Sequence, residues 1–462
     1  MRMFLQEHDS RSPSALGDNV SSFRPTFNGS VQVTVGTSHT SSEGGALALR
    51  EALDGSRVMD RLASQLQDPR DPLRVLHPLA DQLRTLILHR AQGWIDQTDV
   101  RVLAHDPLLA LCSSGRRGTA PLAQVRPSQP TLSRTFALLA TDANRAALAD
   151  GLLHLTDWRL RSTRAGKPQE TLTLDIDGVP IEVHGHQGGS AYHGYYRRQI
   201  YYPLLAGIAE TGDLLAGLLR TGTCGAADEA DAWIPKLVRQ MTDRLCRTVR
   251  VRFDAGFTGD GVLNALEAQG IEYLGRLRGN VALDRFAQPH LRRPVGRRPA
   301  EPREWLHDLQ WQGGSWARAR RVVLVVQERP DDLFLHHFWI VTNIPRSAAS
   351  AQDLLSRYRH RGKAEAHFGE LKSVLAPHLS CTDRGASTVQ QVMARNEVSL
   401  SLSLYAYQLM HGLRCILAKE TREGWSLQRL REQVLKVAAT VTVHARRVRI
   451  ALGVAAQRWW PA

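Results

Sequence analysis

The hydrophobic pattern of the chain changes period along its length. Residues 1–45 are rich in Ser, Gly and Thr, with one alternating stretch at Val31–Val35. That pattern predicts a loose arm holding at most a short strand. Beyond it Leu79, Leu83, Leu86 and Ile87 recur at i, i+4, i+7 and i+8, the stripe of an amphipathic helix. Further helices, separated by Asp-Pro and Gly-Trp punctuation, are expected to about residue 150. From Thr171 the period falls to two, with Leu172, Leu174 and Ile176 alternating against Thr173, Asp175 and Asp177, which predicts a strand. An apolar stretch at Ile200–Ile208, a helix around Ala226–Leu245, a β-rich run at Val249–Asp254, a helix at Gly261–Gln269 and a strand at Ile271–Leu277 follow. Strands at Arg321–Gln327 and Phe338–Asn343 and helices at Ser350–Ala376 and Val389–Leu417 complete the pattern. Strands alternating with helices in mid-chain indicate an α/β core.

Composition narrows the class. With 43% apolar and 23% charged residues in 462, the chain is neither disordered, collagen-like nor a small disulfide scaffold, and its length suggests several domains. The first residues lack the apolar run of a signal peptide. The longest uncharged stretch, Val398–Leu413, is interrupted by serines and is too short to span a membrane, so it predicts a buried helix. Five cysteines without a C-x-x-C pair argue against a zinc finger and for a reducing, cytoplasmic setting. The formal charge is +14, and it is concentrated. Arg276–Arg303 carries eight arginines against two acids, and Lys419–Ala462 carries nine Lys and Arg against three Glu. Such clusters suit nucleic-acid phosphates.

The sharpest chemical signal is Tyr358-Arg359-His360-Arg361-Gly362-Lys363-Ala364-Glu365, running on to Glu370-Leu371-Lys372. On one continuous helix at 100° per residue, Tyr358, Arg361, Glu365 and Lys372 share a face, whereas Glu370 points away. A plain solvated face with an Arg361–Glu365 pair is the alternative. Two acids upstream tip the balance. Two-metal phosphoryl chemistry needs several carboxylates converging on divalent ions, and hard oxygen ligands suit Mg²⁺ or Mn²⁺. Asp177 near the end of one strand, Asp254 at the end of another and Glu365 on the helix would supply such a set. Asp175 lies on the same strand face as Asp177 and is the reserve candidate. Alternatively, Asp177-Gly178 forms the turn of a hairpin between Leu172–Ile176 and Val179–Val183.

On these residues the chain resembles the DDE transposases of bacterial insertion sequences, in the branch marked by a Tyr-x2-Arg-x3-Glu-x6-Lys signature. Tyr358, Arg361, Glu365 and Lys372 fit it in type and spacing. Leu174-Asp175-Ile176-Asp177 with His184-Gly185-His186-Gln187 resembles the first-acid segment, and Arg252-Phe253-Asp254-Ala255-Gly256-Phe257 the second. The resemblance runs from about Ser41 to the C-terminus. It implies an RNase H-like catalytic core interrupted by a β-rich insertion, with a helical N-terminal DNA-binding region. It also implies Asp177, Asp254 and Glu365 as ligands of Mg²⁺ or Mn²⁺, two ions in all, with Tyr358, Arg361 and Lys372 holding transposon-end DNA. Two departures stand out. Gly178 follows the first acid where the family usually has a nearby Thr, and Phe253 precedes the second acid where Gly is common.

The expected organisation is a flexible arm (1–45), a helical DNA-binding region (46–150), a catalytic core (165–277 plus 336–417), a basic β-rich insertion (278–335) and a basic C-terminal tail (418–462). The expected function is that of an insertion-sequence transposase of the bacterial cytoplasm, associated with the nucleoid. It would bind terminal inverted repeats, cleave there with metal, and join the freed 3′-hydroxyl to target DNA as at least a homodimer. The alternatives are a nuclease on the same scaffold without strand transfer and a non-cleaving, transposase-derived DNA-binding protein. Ser128–Arg134 has the residue types of a capped, phosphate-contacting helix start, and repeat preference is expected mainly in residues 45–150. His184, His186 and His193 form a weak transition-metal alternative. Tyr192, Tyr195, Tyr196, Tyr201 and Tyr202 predict buried aromatic packing. Trp305, Trp311 and Trp316 predict either core positions or wedges for a distorted duplex.

Overall fold

In the computed structural model, the described residues are 22–460 apart from 24, 26, 29, 35–38, 164–168, 186, 294, 297–298 and 382–387. The organising element is one eight-stranded sheet: β1 (Gln169–Gly178), β2 (Leu204–Ile208), β3 (Leu214–Leu218), β4 (Cys246–Phe253), β5 (Glu272–Leu277), β6 (Arg303–Trp311), β7 (Arg320–Glu328) and β8 (His336–Thr342). Its spatial order is β6-β7-β8-β5-β4-β1-β2-β3. The first five strands therefore lie in the order 3-2-1-4-5. β2 is antiparallel to both β1 and β3, whereas β4 and β5 run parallel to β1. This is the arrangement of the RNase H-like core that the resemblance implies. β6 and β7, from the β-rich insertion, continue the same sheet through β8.

The chain makes this sheet because its strands are rich in Val, Ile and Leu and alternate where one face differs from the other. One face packs on α4 (Ala230–Thr242) and α5 (Asp260–Ala268), through Ile234, Leu237, Val262 and Leu263 against Leu174, Val251 and Phe253. The opposite face is covered by α6 (Ala351–Arg359), α7 (Arg361–Glu370) and the 33-residue α8 (Val389–Thr421). Val398–Leu413 lies inside α8 as a largely buried segment. Among the described residues no helix is long and apolar enough to cross a membrane.

The N-terminal region is helical, as its 3.6-residue periodicity dictates. α1 (Leu79–Ala91), α2 (Gln129–Leu139) and α3 (Asp142–Thr163) bury Leu83, Leu86, Ile87, Phe136 and Leu148 against Leu402, Tyr405 and Leu409 of α8. Residues after α8 return to this end. The hairpin Ala439–His444/Arg447–Leu452 pairs with Thr40–Ser41, and Lys436 Nζ reaches the buried Glu43 carboxylate at 2.6 Å.

Several local expectations change. Ile200–Ile208 is two strands broken at Pro203, because proline cannot donate to a ladder. Asp177-Gly178 is not a hairpin turn, since β1 pairs with β2 and Ile181–Glu182 pairs with Arg198–Tyr201. Trp305, Trp311 and Trp316 pack into the sheet's apolar layer, where Trp311 meets Trp316 edge-on and Arg320 covers Trp316. Trp316 is buried, whereas Trp305 and Trp311 are half-buried against that layer.

A polar network ties α3 and α8 to the β2–β3 turn. Asp213 is fully buried and receives two bonds from Arg159 and one from Thr211, while His411 meets the Thr211 carbonyl at 2.7 Å and accepts from Arg414. Burial lowers the pKa of both His411 and His89 to about 3. Folding therefore favours the neutral imidazole. The associated stability is complete above pH 6.5 and is lost as the pH falls toward the folded value. Urea unfolding of the His411→Gln variant between pH 6 and 4 should show a stability slope shallower than that of the parent chain by about 1.4 kcal/mol per pH unit. Parallel slopes would show that His411 is not a source of the acid lability.

Candidate active site

The site grows out of the β1–β4 register. Asp175 stands opposite Arg252 and Ile176 opposite Phe253 on parallel strands. The next residue of each strand is an acid, so Asp177 and Asp254 emerge from neighbouring strand ends, about 4.8 Å apart in backbone spacing. Asp254 Oδ1 accepts the Gly256 N–H at 2.8 Å and caps the short turn Ala255–Phe257. Depth, and not alternation, separates the two acids of β1, which share one strand face. Asp175 is 1% exposed and is held from both oxygens by Arg252, at 2.6 and 2.7 Å. Arg252 also donates to the Arg357 carbonyl of α6. Burial raises the pKa of Asp175, and Arg252 opposes the shift.

Asp177 lies closer to the surface and faces α7. Arg361 donates to Asp177 Oδ2 at 3.0 Å and to Glu365 Oε1 one turn along. The structure thus gathers Asp177 and Glu365 around the Arg361 guanidinium, with Asp254 near enough to act on the same charges. Burial raises the pKa of Asp177 to about 6; Arg361 opposes that shift, and the negative charges of Asp254 and Glu365 add to it. Burial works against the charge of Arg361, yet Asp177, Asp254, Tyr358 and Glu365 raise its pKa on balance.

The continuous helix expected from Tyr358 to Lys372 is interrupted. α6 ends at Arg359 and α7 begins at Arg361, where the arginines on either side of His360 are drawn apart, Arg359 to Glu304 and Arg361 to Asp177. From Leu371 the backbone widens into a π turn that ends at Ala376 with φ of 39°. Pro377 excludes its predecessor from the right-handed helical region. Arg361 is accordingly buried, Lys372 is exposed on the π turn, and Tyr358 is half-buried on the cleft wall. Glu370 points away from the site as expected, bonding Arg414 and the Leu427 N–H.

α7 is seated by its far side. Gly212, in the β2–β3 turn at φ of 78°, leaves no room for a Cβ, which would lie 2.5 Å from His367 Nε2. Tyr407 of α8 bonds both His367 Nδ1 and the Gly212 carbonyl. The cleft in front of the site has a volume of about 450 Å³, and Asp254, Tyr358, Arg361 and Glu365 form one side. The other side carries Arg276, Arg278 and His337, with Arg276 over the Phe338 ring.

Two features escaped the sequence analysis. Arg252 lies within the second-acid motif, where Arg250 and Arg252 share one face of β4 and Val249, Val251 and Phe253 the other, a sign that acids oppose them, as Glu272 and Asp175 do. The tyrosine-rich segment is also not uniformly buried. Tyr192 and Tyr195 are 67% and 84% exposed, whereas the half-buried His193, Tyr196 and Tyr202 meet in tilted ring contacts. Burial raises the pKa of Tyr202, with Tyr196, Asp177 and Asp254 acting in the same direction, so this ladder ends beside the acids. His186 lies outside the described residues. Among the described residues no group of three or more His, Cys, Asp or Glu is arranged as a ready metal cage. The central positive charge is the Arg361 guanidinium. The donor chemistry nonetheless suits a hard divalent cation, with three carboxylates facing one cleft and the pKa of Asp177 raised first by burial and further by the charges of Asp254 and Glu365.

Arg252→Met should lower stability by about 3–5 kcal/mol, because it leaves the Asp175 carboxylate buried and unpaired. The double variant Asp175→Leu/Arg252→Met should recover most of that loss. Urea midpoints of the two variants measure the difference. A double variant no more stable than the single one would show that the unpaired Asp175 carboxylate is not the source of the loss.

Residues 23–458 match the family model described as "Transposase DDE domain group 1". No curated protein matches the chain. Among solved structures, the cryo-EM structure of a piggyBac transposase synaptic complex with hairpin DNA is similar over 84% of this chain and 79% of that one, with 11% identity and a TM-score of 0.36.

Proposed function

Given that the chain belongs to the DDE-domain transposases of group 1, we propose that it cleaves DNA at the terminal inverted repeats of an insertion sequence and joins the freed 3′-hydroxyl to target DNA. The observation that carries this proposal is the meeting of Asp177, Asp254 and Glu365 around Arg361 at the ends of β1 and β4. Their carboxylates would hold Mg²⁺ or Mn²⁺, which when bound supplies polarisation of the scissile phosphate and activation of the attacking oxygen. The chain's own residues do the rest. Arg361 keeps two acids oriented in a half-closed cleft, and Asp175, neutralised by Arg252, keeps the strand ends in register. Arg276, Arg278 and the exposed Lys372 present charge to a DNA backbone, while Tyr358 lines the approach. We assign catalysis to residues 165–277 plus 336–417 and repeat recognition mainly to residues 45–150. The active form is at least a homodimer, since two ends must be brought together.

Replacing Asp177 or Asp254 by Asn, or Glu365 by Gln, should each reduce cleavage of a duplex taken from the DNA flanking the coding region by at least about 10²-fold. The check is strand cleavage and joining with Mg²⁺, followed on a gel. An acid whose replacement leaves the rate intact loses its place in the set, and cleavage without any joined product would identify a nuclease. Lys372→Ala should make the salt dependence of DNA binding shallower by about one unit of log–log slope, measured by fluorescence anisotropy from low to physiological salt.

A further inference from the structure

We infer that the chain has a phosphate-binding site apart from the active-site cleft, in the cavity between α1, α2 and α8, where Arg90 and the open first turn of α2 receive the anion. The cavity holds about 220 Å³ and is lined by Arg90, Gln129, Ser133, His378, Arg395 and Ser399, among others.

Arg90 is the principal observation. It is 3% exposed, and a buried guanidinium is costly unless its charge and its N–H groups are answered. Its Nη1 donates to the Leu86 carbonyl and its Nη2 to Ser399 Oγ, both at 3.1 Å, while Nε has no partner. Its face lies 5.7 Å from the centre of the Phe136 ring. Among the described residues no carboxylate forms an ion pair with it, unlike the buried Arg159, Arg252 and Arg361. Arg220 also lacks an acid but gives four bonds to carbonyl oxygens. Arg90 gives only one bond of that kind. Burial lowers its pKa to about 10.

The first turn of α2 is the second, independent observation. Ser128 stands at the N-cap but makes no capping bond, and its hydroxyl pairs with that of Thr131 instead. The first-turn amides of Gln129 and Thr131 therefore keep free donors at the positive end of the helix dipole. Gln129, Ser133 and Phe136 fall on one face of α2 and line the cavity, with a hydroxyl at Ser133. Asp96 is the acid among the lining residues, and its Oδ1 accepts from the Thr98 N–H and hydroxyl, at 2.7 and 2.9 Å. A buried cation short of acceptors beside uncapped amides is a receptor for a tetrahedral oxyanion. Phosphate is the anion that nucleic acids and nucleotides share.

The test uses the full chain and two probes. Inorganic phosphate is titrated in a thermal-shift measurement against chloride of equal ionic strength, and duplex DNA is titrated over a salt series. Arg90→Met removes the guanidinium. Ser133→Glu places a negative charge on the cavity lining without altering Arg90, and so decides the matter if Arg90→Met fails to fold. Ala143→Glu, exposed on the neighbouring α3 and away from the cavity lining, is the charge control. If the anion is a DNA backbone phosphate, Ser133→Glu should abolish the phosphate-specific shift, weaken duplex binding about tenfold more than the control does, and make its salt slope shallower by about one unit. Loss of the phosphate shift with unchanged duplex affinity keeps the site and assigns it to free phosphate or a nucleotide. No shift beyond chloride in the parent chain, with Ser133→Glu matching the control on DNA, overturns the inference. Cleavage is not read, so failure of the active-site assignment leaves this result untouched.

Discussion

A carboxylate inside a parallel sheet is tolerable only if something of opposite charge meets it there. In this molecule the pairing of Asp175 with Arg252 across β1 and β4 meets that demand. It fixes which strands are neighbours and in which register, because a one-residue slip would turn both groups to the opposite, apolar face. Everything chemical follows from that registry. The acids that end the two strands lie side by side, and the helix whose backbone Arg252 also touches is the one that precedes Glu365. The buried pair is the foundation, and the more exposed acids stand on it.

The same rule operates one layer out. Arg361 lies between Asp177 and Glu365, so the molecule keeps its most crowded negative charges in a neutralised, ordered state. α7 would have little reason to hold that position through apolar contacts alone, since only Arg361, Ala364 and Phe368 are buried along it. Its orientation comes from behind, where His367 and Glu370 are fastened to Tyr407 and Arg414 of α8. Polar residues of the long helix thus aim the active-site helix, while its apolar residues hold the two halves of the molecule together.

Much of this was legible in the chain. Leu172-Leu174-Ile176 announced β1, the Val249–Asp254 run announced β4, and the spacing of Tyr358, Arg361 and Glu365 singled out the stretch that faces them. The resemblance carried by the three acids in order, with a β-rich segment between the second and third, implied the RNase H-like fold. What was not legible depends on long-range pairing. Period-two alternation puts Asp175 and Asp177 on one face but cannot tell which of them meets Arg252. An ideal helical wheel also fails where Arg359 and Arg361 are pulled apart and where Pro377 ends the helix in a wide turn. Nor does local sequence reveal that β6 and β7 extend the central sheet, since their partner β8 lies further along the chain.

The pairing of Thr40–Ser41 with the hairpin at Ala439–His444, and the Glu43–Lys436 bond across 393 positions, govern how this molecule can come into being. The N-terminal helices bury their apolar stripes on α8 and on residues beyond it, so they leave the ribosome long before their packing partners exist. Closing so long a loop is entropically costly and slow compared with forming local helices. Until the last segments are made, the helical end has unburied leucines that invite chaperones or aggregation. A prematurely terminated product would then be an incomplete fold and not a free-standing DNA-binding fragment competing with the full chain.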